Sequence, residues 1–244
     1  MTRHRLDELL VERGLYASRS RARDAISRGT VTVDGVVAAK PAQNTSPESR
    51  IEILDEARAY VSRSALKLKN GINFFSIPVK GLNCLDIGAS TGGFTQVLLE
   101  QGAAHVTAID VGHGQFDKSL QSHPNVASIE GLNSRDLTAD HLAHKIDFIV
   151  CDVSFISLKL ALPKALALVE SGARLLALVK PQFEAGRDAI GRGGIVSDPQ
   201  EHERVCKEIS KFLTAENWKV LGITPASIEG GDGNKEFLIA AVKN

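Results

Sequence analysis

A glycine-rich segment between two apolar stretches is the feature that most constrains the fold of this chain. The apolar run Leu82 to Ile87 precedes Gly88-Ala89-Ser90-Thr91-Gly92-Gly93, and the amphipathic stretch Phe94 to Leu99 follows it. This order predicts a strand, a tight turn and a helix, in which glycines permit positive φ angles and close backbone approach. Free N–H groups at the start of such a helix attract an anion or a carboxylate. The unit therefore predicts a nucleotide-like ligand on an α/β sheet.

Two acids accompany the predicted turn. Asp86 lies near the end of the first strand, where a dinucleotide fingerprint would have glycine, and the glycine spacing is not that of the fingerprint. A second apolar run, His105 to Ile109, ends in Asp110, about 20 residues downstream, where a carboxylate can accept both hydroxyls of a ribose. Acid, glycines and second acid together resemble the S-adenosylmethionine site of Rossmann-like methyltransferases. A nicotinamide site or an empty scaffold is the alternative.

Two further predicted strands also end in charged residues. Phe148 to Cys151 leads into Asp152, and Leu175 to Val179 leads into Lys180. Ligands of open parallel sheets bind beyond the carboxyl ends of the strands. For each residue taken alone, a solvated surface charge is the alternative, since Lys and Asp are mostly exposed. Taken together, four polar residues are expected to converge at one edge of the sheet: Asp86, Asp110, Asp152 and Lys180.

Five strings resemble the TlyA family over essentially the whole chain. They are Ser62 to Leu68, the glycine segment, Cys151 to Ser157, Leu178 to Glu184 and Gly233 to Leu238. Members of that family are named both as hemolysins and as ribosomal RNA 2′-O-methyltransferases, and the catalytic domain is similar to that of FtsJ-type ribose methyltransferases. The resemblance implies S-adenosylmethionine as cofactor and a Lys-Asp-Lys-Glu catalytic tetrad, which maps onto Lys67, Asp152, Lys180 and Glu236.

The predicted chemistry is an in-line methyl transfer from a sulfonium to a ribose hydroxyl, which must lose its proton. A lysine can take that proton where burial and a neighbouring cation favour the neutral amine. We assign Lys180 as the base, oriented by Asp152, and Lys67 as the neighbouring cation that holds substrate phosphate or ribose, fixed by Glu236. Exchange of the two lysines is the alternative. The predicted cofactor-binding residues are Asp86, Gly88, Ser90, Gly92, Gly93, Phe94, Asp110, Val111 and Asp152.

The amino-terminal part of the chain has a different pattern, with short elements and clear stop signals. The expected elements are a helix ending at Gly14, a helix over Arg19 to Arg28 capped by Ser18, a hairpin over 31–37 with an Asp34-Gly35 turn, an irregular loop over 41–49 and a strand over 51–53. The order of these elements resembles the S-four-type RNA-binding domain. That resemblance implies recognition of structured RNA, mainly through its backbone and shape.

The charge of this part is concentrated in arginines. The chain has 29 basic and 29 acidic residues, so its net charge indicates no preference for nucleic acid. Between Arg13 and Arg28, however, five arginines accompany one acid, Asp24. The planar guanidinium binds phosphate oxygens in pairs, whereas a solvated helix face is the alternative. The predicted RNA-binding residues are Arg5, Arg19, Arg21, Arg23, Arg28, Arg63, Arg187 and Arg192.

The remainder of the chain predicts the catalytic domain. Ser62 to Phe75 has a helical apolar stripe that would leave Lys67 off the buried face. Strands and helices then alternate through Gly222, and the last run, Glu236 to Val242, follows a turn too short for a crossover helix. The predicted fold class is α/β: a Rossmann-like methyltransferase sheet, mostly parallel with an antiparallel last strand, and a small N-terminal α+β RNA-binding domain. The predicted boundaries are 1–57, a linker over 58–61, and 62–244.

Further features bear on the substrate and the compartment. The glycine- and arginine-rich stretch Glu184 to Ser197 predicts a substrate lid or a mobile connection. No apolar run is long enough to span a membrane, the first residues have no signal-peptide core, and the three cysteines have no metal spacing. We therefore expect a cytoplasmic protein without a metal or a membrane partner, and a monomer or weak dimer.

These features and the resemblance together favour 2′-O-methylation of ribosomal RNA, or of a ribosomal subunit, at a cytidine of the large-subunit RNA. The base comes from the resemblance alone. Two alternatives remain. One is an RNA-binding assembly factor with a vestigial methyltransferase fold, and the other is a cytolysin, which would need a membrane-active stretch or a signal.

Overall fold

The computed structural model describes residues 4–230 and 233–244, except for the side chain of Arg187. The chain divides into two compact units, one ending at Ala59 and the other running from Tyr60 to Asn244. Each unit has its own buried apolar clusters. Among the described residues, no helix is long and apolar enough to cross a membrane.

The first unit packs two helices against short strands. Its elements are β1 (His4–Arg5), α1 (Leu6–Glu12), α2 (Arg19–Ser27), β2 (Val31–Val33), β3 (Val36–Val37), β4 (Asn44–Thr45), β5 (Ile51–Ile53) and a 3₁₀ turn (Glu56–Ala59). The Ser18 hydroxyl accepts from the Arg21 N–H and caps α2 as predicted. Asp34 and Gly35 both have positive φ, as a two-residue hairpin turn requires.

One prediction for this unit is wrong. The 41–49 segment is not wholly irregular, because β4 pairs with β1, His4 lying opposite Thr45. Strands of two residues carry too little periodicity to be read from sequence. The strand β5 is found where it was predicted, and it pairs with β2 in the sheet order β3-β2-β5.

The second unit alternates strands and helices around one large sheet. Its elements are α3 (Ala65–Phe74), β6 (Asn83–Ile87), α4 (Gly93–Glu100), β7 (His105–Asp110), α5 (Lys118–Gln121), β8 (Val126–Glu130), β9 (Phe148–Cys151), α6 (Leu158–Ala161), α7 (Pro163–Leu168), β10 (Arg174–Val179), α8 (Pro181–Glu184), α9 (Pro199–Ala215), β11 (Trp218–Pro225) and β12 (Phe237–Lys243). Apolar clusters cover both faces of the sheet, with α3 and α4 on one face and α6, α7 and α9 on the other.

The strand order places a crevice at the middle of the sheet. The order is β11-β12-β10-β9-β6-β7-β8; β12 is antiparallel to both of its neighbours, and the pairs from β10 to β8 are parallel. The predicted methyltransferase-type sheet with an antiparallel last strand is therefore confirmed. The chain runs outward from β6 through β7 to β8, and then outward the other way from β9 to β10. Ligands of such sheets bind where this direction switches, beyond the carboxyl ends of β6 and β9.

The position of Lys67 differs from the prediction. Lys67 lies on the buried side of α3 and is only 5% exposed. The reason is Gly71, one turn further along the helix, where a Cβ would approach the side chains of Leu176 and Leu238 to 2.9 Å. Because this glycine lets the helix lie close to β10 and β12, the buried face is wider than its apolar stripe and includes Lys67.

Candidate active site

The glycine turn after β6 brings two strand ends into contact. Gly88 has φ +82°, and a Cβ there would lie 2.5 Å from the Asp152 carbonyl oxygen. The Gly88 and Ala89 N–H groups both donate to the Ile109 carbonyl, at 2.9 and 3.1 Å. A glycine is therefore required at position 88 both by its backbone conformation and by the approach of Asp152.

Asp110 fixes the other side of this turn. Its Oδ2 accepts from the Ser90 N–H at 2.8 Å, and its Oδ1 accepts from the Gly112 N–H at 2.7 Å. The Gln115 side-chain amide also donates to Oδ1, at 3.3 Å. The carboxylate is thus held at the carboxyl end of β7 by backbone donors and still has lone pairs for a ligand.

A cavity of about 450 Å³ opens beside these residues, which is within the usual range for small-ligand sites. Five of the predicted cofactor residues line it: Gly88, Ser90, Asp110, Val111 and Asp152. The sequence reasoning missed Asn133 and Ser134, which also line it. The signal was present, because these polar residues follow the carboxyl end of β8 just as Asp152 follows β9.

Four other predicted cofactor residues do not line this cavity. Phe94 lines a smaller neighbouring cavity, Gly92 packs against Leu120 and Phe116, and Gly93 packs against Ser62 and Ser64. Their contribution is to let the turn and α4 pack closely.

Asp86, the fourth of these residues, has a fully buried side chain that accepts a 2.7 Å hydrogen bond from the Thr95 hydroxyl. Burial raises the pKa of this carboxyl to about 7. Asp86 therefore supports the turn from beneath rather than contacting the ligand cavity.

The tetrad residues form two lysine–carboxylate pairs. Lys180 Nζ lies 2.6 Å from Asp152 Oδ1 and donates to the Ser154 hydroxyl at 3.0 Å. Lys67 Nζ donates to Glu236 Oε2 at 2.6 Å, and both side chains of this second pair are almost completely buried. The pairing is the one predicted, Asp152 with Lys180 and Glu236 with Lys67.

Both pairs line small cavities next to the predicted cofactor cavity. Asp152 and Lys180 line one of about 170 Å³ together with Gly88 and Ser90. Lys67, Lys180 and Glu236 line the next one, of about 210 Å³. The two lysines therefore line cavities adjacent to the predicted cofactor site, rather than that site itself. A larger apolar cavity of about 600 Å³, between α9 and the ends of β11 and β12, shares only Glu236 with this site.

Phe155 is a site residue whose role sequence reasoning missed. It has a left-handed φ of +64°, is 91% exposed and lies with its ring centroid 5.0 Å from that of Phe183. It lines both the predicted cofactor cavity and the cavity that contains the two lysines. An exposed aromatic ring held in a strained backbone conformation at a ligand site is an unusual combination.

The predicted RNA-binding arginines have different surroundings. Arg5 and Arg19 pair with the buried Asp7, whose pKa they lower to about 2. Arg21 donates to the Ala57 carbonyl at 3.2 Å, while Arg23 is exposed.

Arg28 has a structural role that the sequence did not predict. Its guanidinium donates to Asp24 and to both oxygens of the buried Asp55. These bonds hold Arg28 within its own unit, and its role as an RNA contact stays a prediction. In the second unit, Arg63 lines the cavity of the lysines, Arg192 is exposed and the Arg187 side chain lies outside the described residues.

Comparison with known proteins agrees with the fold. A model of FtsJ-like methyltransferases matches residues 60–243, and a model of the S4 domain matches residues 4–51. The chain is 42% identical to the 16S/23S rRNA (cytidine-2′-O)-methyltransferase TlyA of Mycobacterium tuberculosis, over 97% of this chain and 89% of that protein. It is 39% identical to Hemolysin A of Brachyspira hyodysenteriae, over 96% of this chain and 98% of that protein.

Solved structures support the same assignment. A hemolysin-named protein from Streptococcus thermophilus, 37% identical, superposes with a TM-score of 0.79 and covers 100% of this chain and 90% of its own. The second unit and its site thus define a methyltransferase of the FtsJ-like class, here joined to an S4 domain. Within that class, the chain belongs to the TlyA family.

Proposed function

We propose that this protein transfers a methyl group from S-adenosylmethionine to a ribose 2′-hydroxyl of ribosomal RNA, at a cytidine of the large subunit. The observation that carries the proposal is the two lysine–carboxylate pairs lining cavities adjacent to the predicted cofactor cavity. The name of the Mycobacterium relative, which specifies a cytidine 2′-hydroxyl of rRNA, supports the choice of substrate. A ribosomal RNA substrate is in turn the reason to propose a cytoplasmic location.

The residues present fit S-adenosylmethionine. Asp110 offers carboxylate lone pairs for ribose hydroxyls, and Gly88 lines the same cavity without a side chain. Asn133 and Ser134 supply polar groups to a cavity whose other walls include Ile109 and Val153. When bound, the cofactor supplies an electrophilic methyl carbon.

The chain's own residues then handle the proton and the position of the substrate. Lys180 is the proposed base that takes the proton of the 2′-hydroxyl at Nζ, while Asp152 and Ser154 hold that nitrogen in place. Lys67, fixed by Glu236, holds substrate phosphate or ribose. A positioned general base contributes about 10²–10⁴-fold to a rate.

The test is transfer of labelled methyl groups from S-adenosylmethionine to ribosomal RNA or subunits, with mapping of 2′-O-methyl positions. Lys180→Ala is expected to lose about 10²–10⁴-fold in turnover with unchanged S-adenosylmethionine affinity. Lys164→Ala, at an exposed lysine of α7, is the matched control. Unlabelled RNA with the wild-type protein would refute the proposal and favour an RNA-binding assembly factor. Substantial turnover by Lys180→Ala would refute only the role of the base.

A further inference from the structure

Two segments of the site contact each other at three points. The first follows β9 and runs from Asp152 to Leu158, and the second follows β10 and runs from Lys180 to Glu184. They meet at Lys180 with Asp152 and Ser154, and again where the rings of Phe155 and Phe183 approach. The third meeting point, at Glu184, has no part in the mechanism above.

Glu184 makes two short hydrogen bonds to the first segment. Its Oε2 accepts from the Ser157 hydroxyl at 2.6 Å, and its Oε1 accepts from the Leu158 N–H at 2.7 Å. Burial raises the pKa of this carboxyl, and the two donors oppose that effect. Arg204 donates to the Ala185 carbonyl at 3.0 Å and so ties the following residue to α9.

The first segment needs such an anchor because its middle is strained. Phe155 has φ +64°, a left-handed conformation that is unfavourable for a non-glycine residue and persists only when the surroundings enforce it. The bonds at Lys180 hold the segment before Phe155, and the bonds of Glu184 hold it two and three residues after. On that side, Glu184 adds two hydrogen bonds from the neighbouring segment to the burial of Leu158 at the start of α6.

We propose that Glu184 is a positioning residue that holds the Asp152–Leu158 segment in the conformation in which Asp152 and Ser154 face Lys180. The inference rests on the proposed function, because it assumes that the pair of Asp152 and Lys180 acts in catalysis. Glu184 itself lies one helical turn from Lys180 and acts only through Ser157 and Leu158.

The test compares Glu184→Ala with Glu184→Gln in the full-length protein. In Glu184→Ala, kcat is expected to fall by between about tenfold and about 100-fold, because small displacements at a reacting site cost rates of this size. The KM for S-adenosylmethionine and the affinity for RNA are expected to be unchanged. Glutamine can still accept from the Leu158 N–H and can donate to the Ser157 hydroxyl, so Glu184→Gln is expected to retain most of kcat.

Hydrogen exchange of the backbone amides in residues 153–158 provides a readout independent of activity. Exchange is expected to accelerate in Glu184→Ala and to stay near wild type in Glu184→Gln. Glu203→Gln, at an exposed glutamate of α9 that pairs with Lys207, is the matched control. If Glu184→Ala does not fold, Ser157→Ala removes one of the two bonds, together with the hydroxyl that caps α6 at the Lys159 N–H, and is expected to show the same changes to a smaller degree.

The outcomes separate the two proposals. A wild-type protein that methylates no RNA would refute the proposed function, while the exchange comparison would still decide whether Glu184 anchors the segment. Wild-type kcat or wild-type exchange in Glu184→Ala would overturn the inference. A loss in Glu184→Gln equal to that in Glu184→Ala would also overturn it, because the charge and not the hydrogen bonds would then be what matters.

Discussion

At the scale of residues, the site depends on charges that are removed from water. Lys67 and Glu236 are buried together, so removing either side chain leaves the charge of the other without a partner. Breaking a buried pair by removing one partner costs much more than removing both, because an isolated buried charge is strongly unfavourable. The buried Asp86 accepts from the Thr95 hydroxyl instead of pairing with a cation, and burial raises the pKa of its carboxyl.

The first prediction concerns the buried pair. Lys67→Met is expected to lower the free energy of unfolding by about 3–5 kcal/mol, because Glu236 is then buried without its partner. Adding Glu236→Gln is expected to recover part of this loss. Urea denaturation of the two single variants and the double variant measures the coupling. Additive losses would show that the pair does not exist in solution.

The second prediction concerns pH. The folded-state pKa of Asp86 is raised from 3.8 to about 7, so the folded protein holds this proton more tightly than the unfolded chain. The resulting stabilisation is fully present below about pH 4 and is lost as the pH rises to about 7. Asp86→Asn keeps an acceptor for Thr95 but cannot ionise. The free energy of unfolding of the wild type is therefore expected to fall over this range relative to Asp86→Asn, as urea denaturation at several pH values would show. If the free energies of unfolding of the two proteins changed in parallel with pH, the prediction would be contradicted.

At the scale of elements, the turn between β6 and α4 sets the geometry of the predicted cofactor site. Three of its glycines leave no room for a side chain, each against a different neighbour: Gly88 against the end of β9, Gly92 against Leu120, and Gly93 against Ser62 and Ser64. The segment Gly191 to Val196 is held in a different way. The buried Asn234 accepts from the Val196 N–H and donates to the Gly194 carbonyl, which fixes the end of the predicted lid.

The third prediction tests this turn. Gly88→Ala is expected to weaken S-adenosylmethionine binding and to lower stability, because its Cβ would meet the Asp152 carbonyl oxygen at 2.5 Å. Gly114→Ala is the matched control, since Gly114 also has a positive φ, +68°, but has open space around it. Both variants bear the backbone strain, so the difference between them isolates the steric contact. Isothermal titration with S-adenosylmethionine and thermal unfolding measure it, and equal effects in the two variants would contradict the close approach.

At the scale of the whole molecule, each of the two units has its own buried apolar core, as a domain does. The S4 unit buries its own cluster around Leu6, Leu10 and Ile26, and the methyltransferase unit buries clusters on both faces of its sheet. The predicted RNA contacts of the first unit fall mainly on α2, where Arg23 is exposed. Arg28, directly after α2, pairs with Asp24 and Asp55. The oligomeric state stays a prediction, monomer or weak dimer, that sedimentation can measure.

The fourth prediction separates the two units. Residues 60–244 alone are expected to fold, because that part contains the complete sheet and its clusters. The truncated protein is expected to bind S-adenosylmethionine normally but to methylate ribosomal RNA poorly, because phosphate contacts of the S4 unit position a large substrate. Its RNA binding should also lose salt dependence, by about 0.7–0.9 of a log unit in slope for each phosphate contact removed. Catalytic efficiency equal to that of the full chain would contradict this role.

The sequence by itself determined the sheet and the edge on which the site lies. The signals are local: the apolar runs of the strands, the glycine turn and the polar residue after each strand. Asp110, Asp152 and Lys180 lie where those signals predicted. Only the tertiary structure decided the burial of Lys67, the structural role of Arg28 and the contact of Glu184 with Ser157. Lys67 and Glu236 are 169 positions apart in the chain, and their contact requires β12 to lie beside β10 and α3 to pack on both. Such contacts depend on strand order and on the depth of helix packing, which no local pattern encodes.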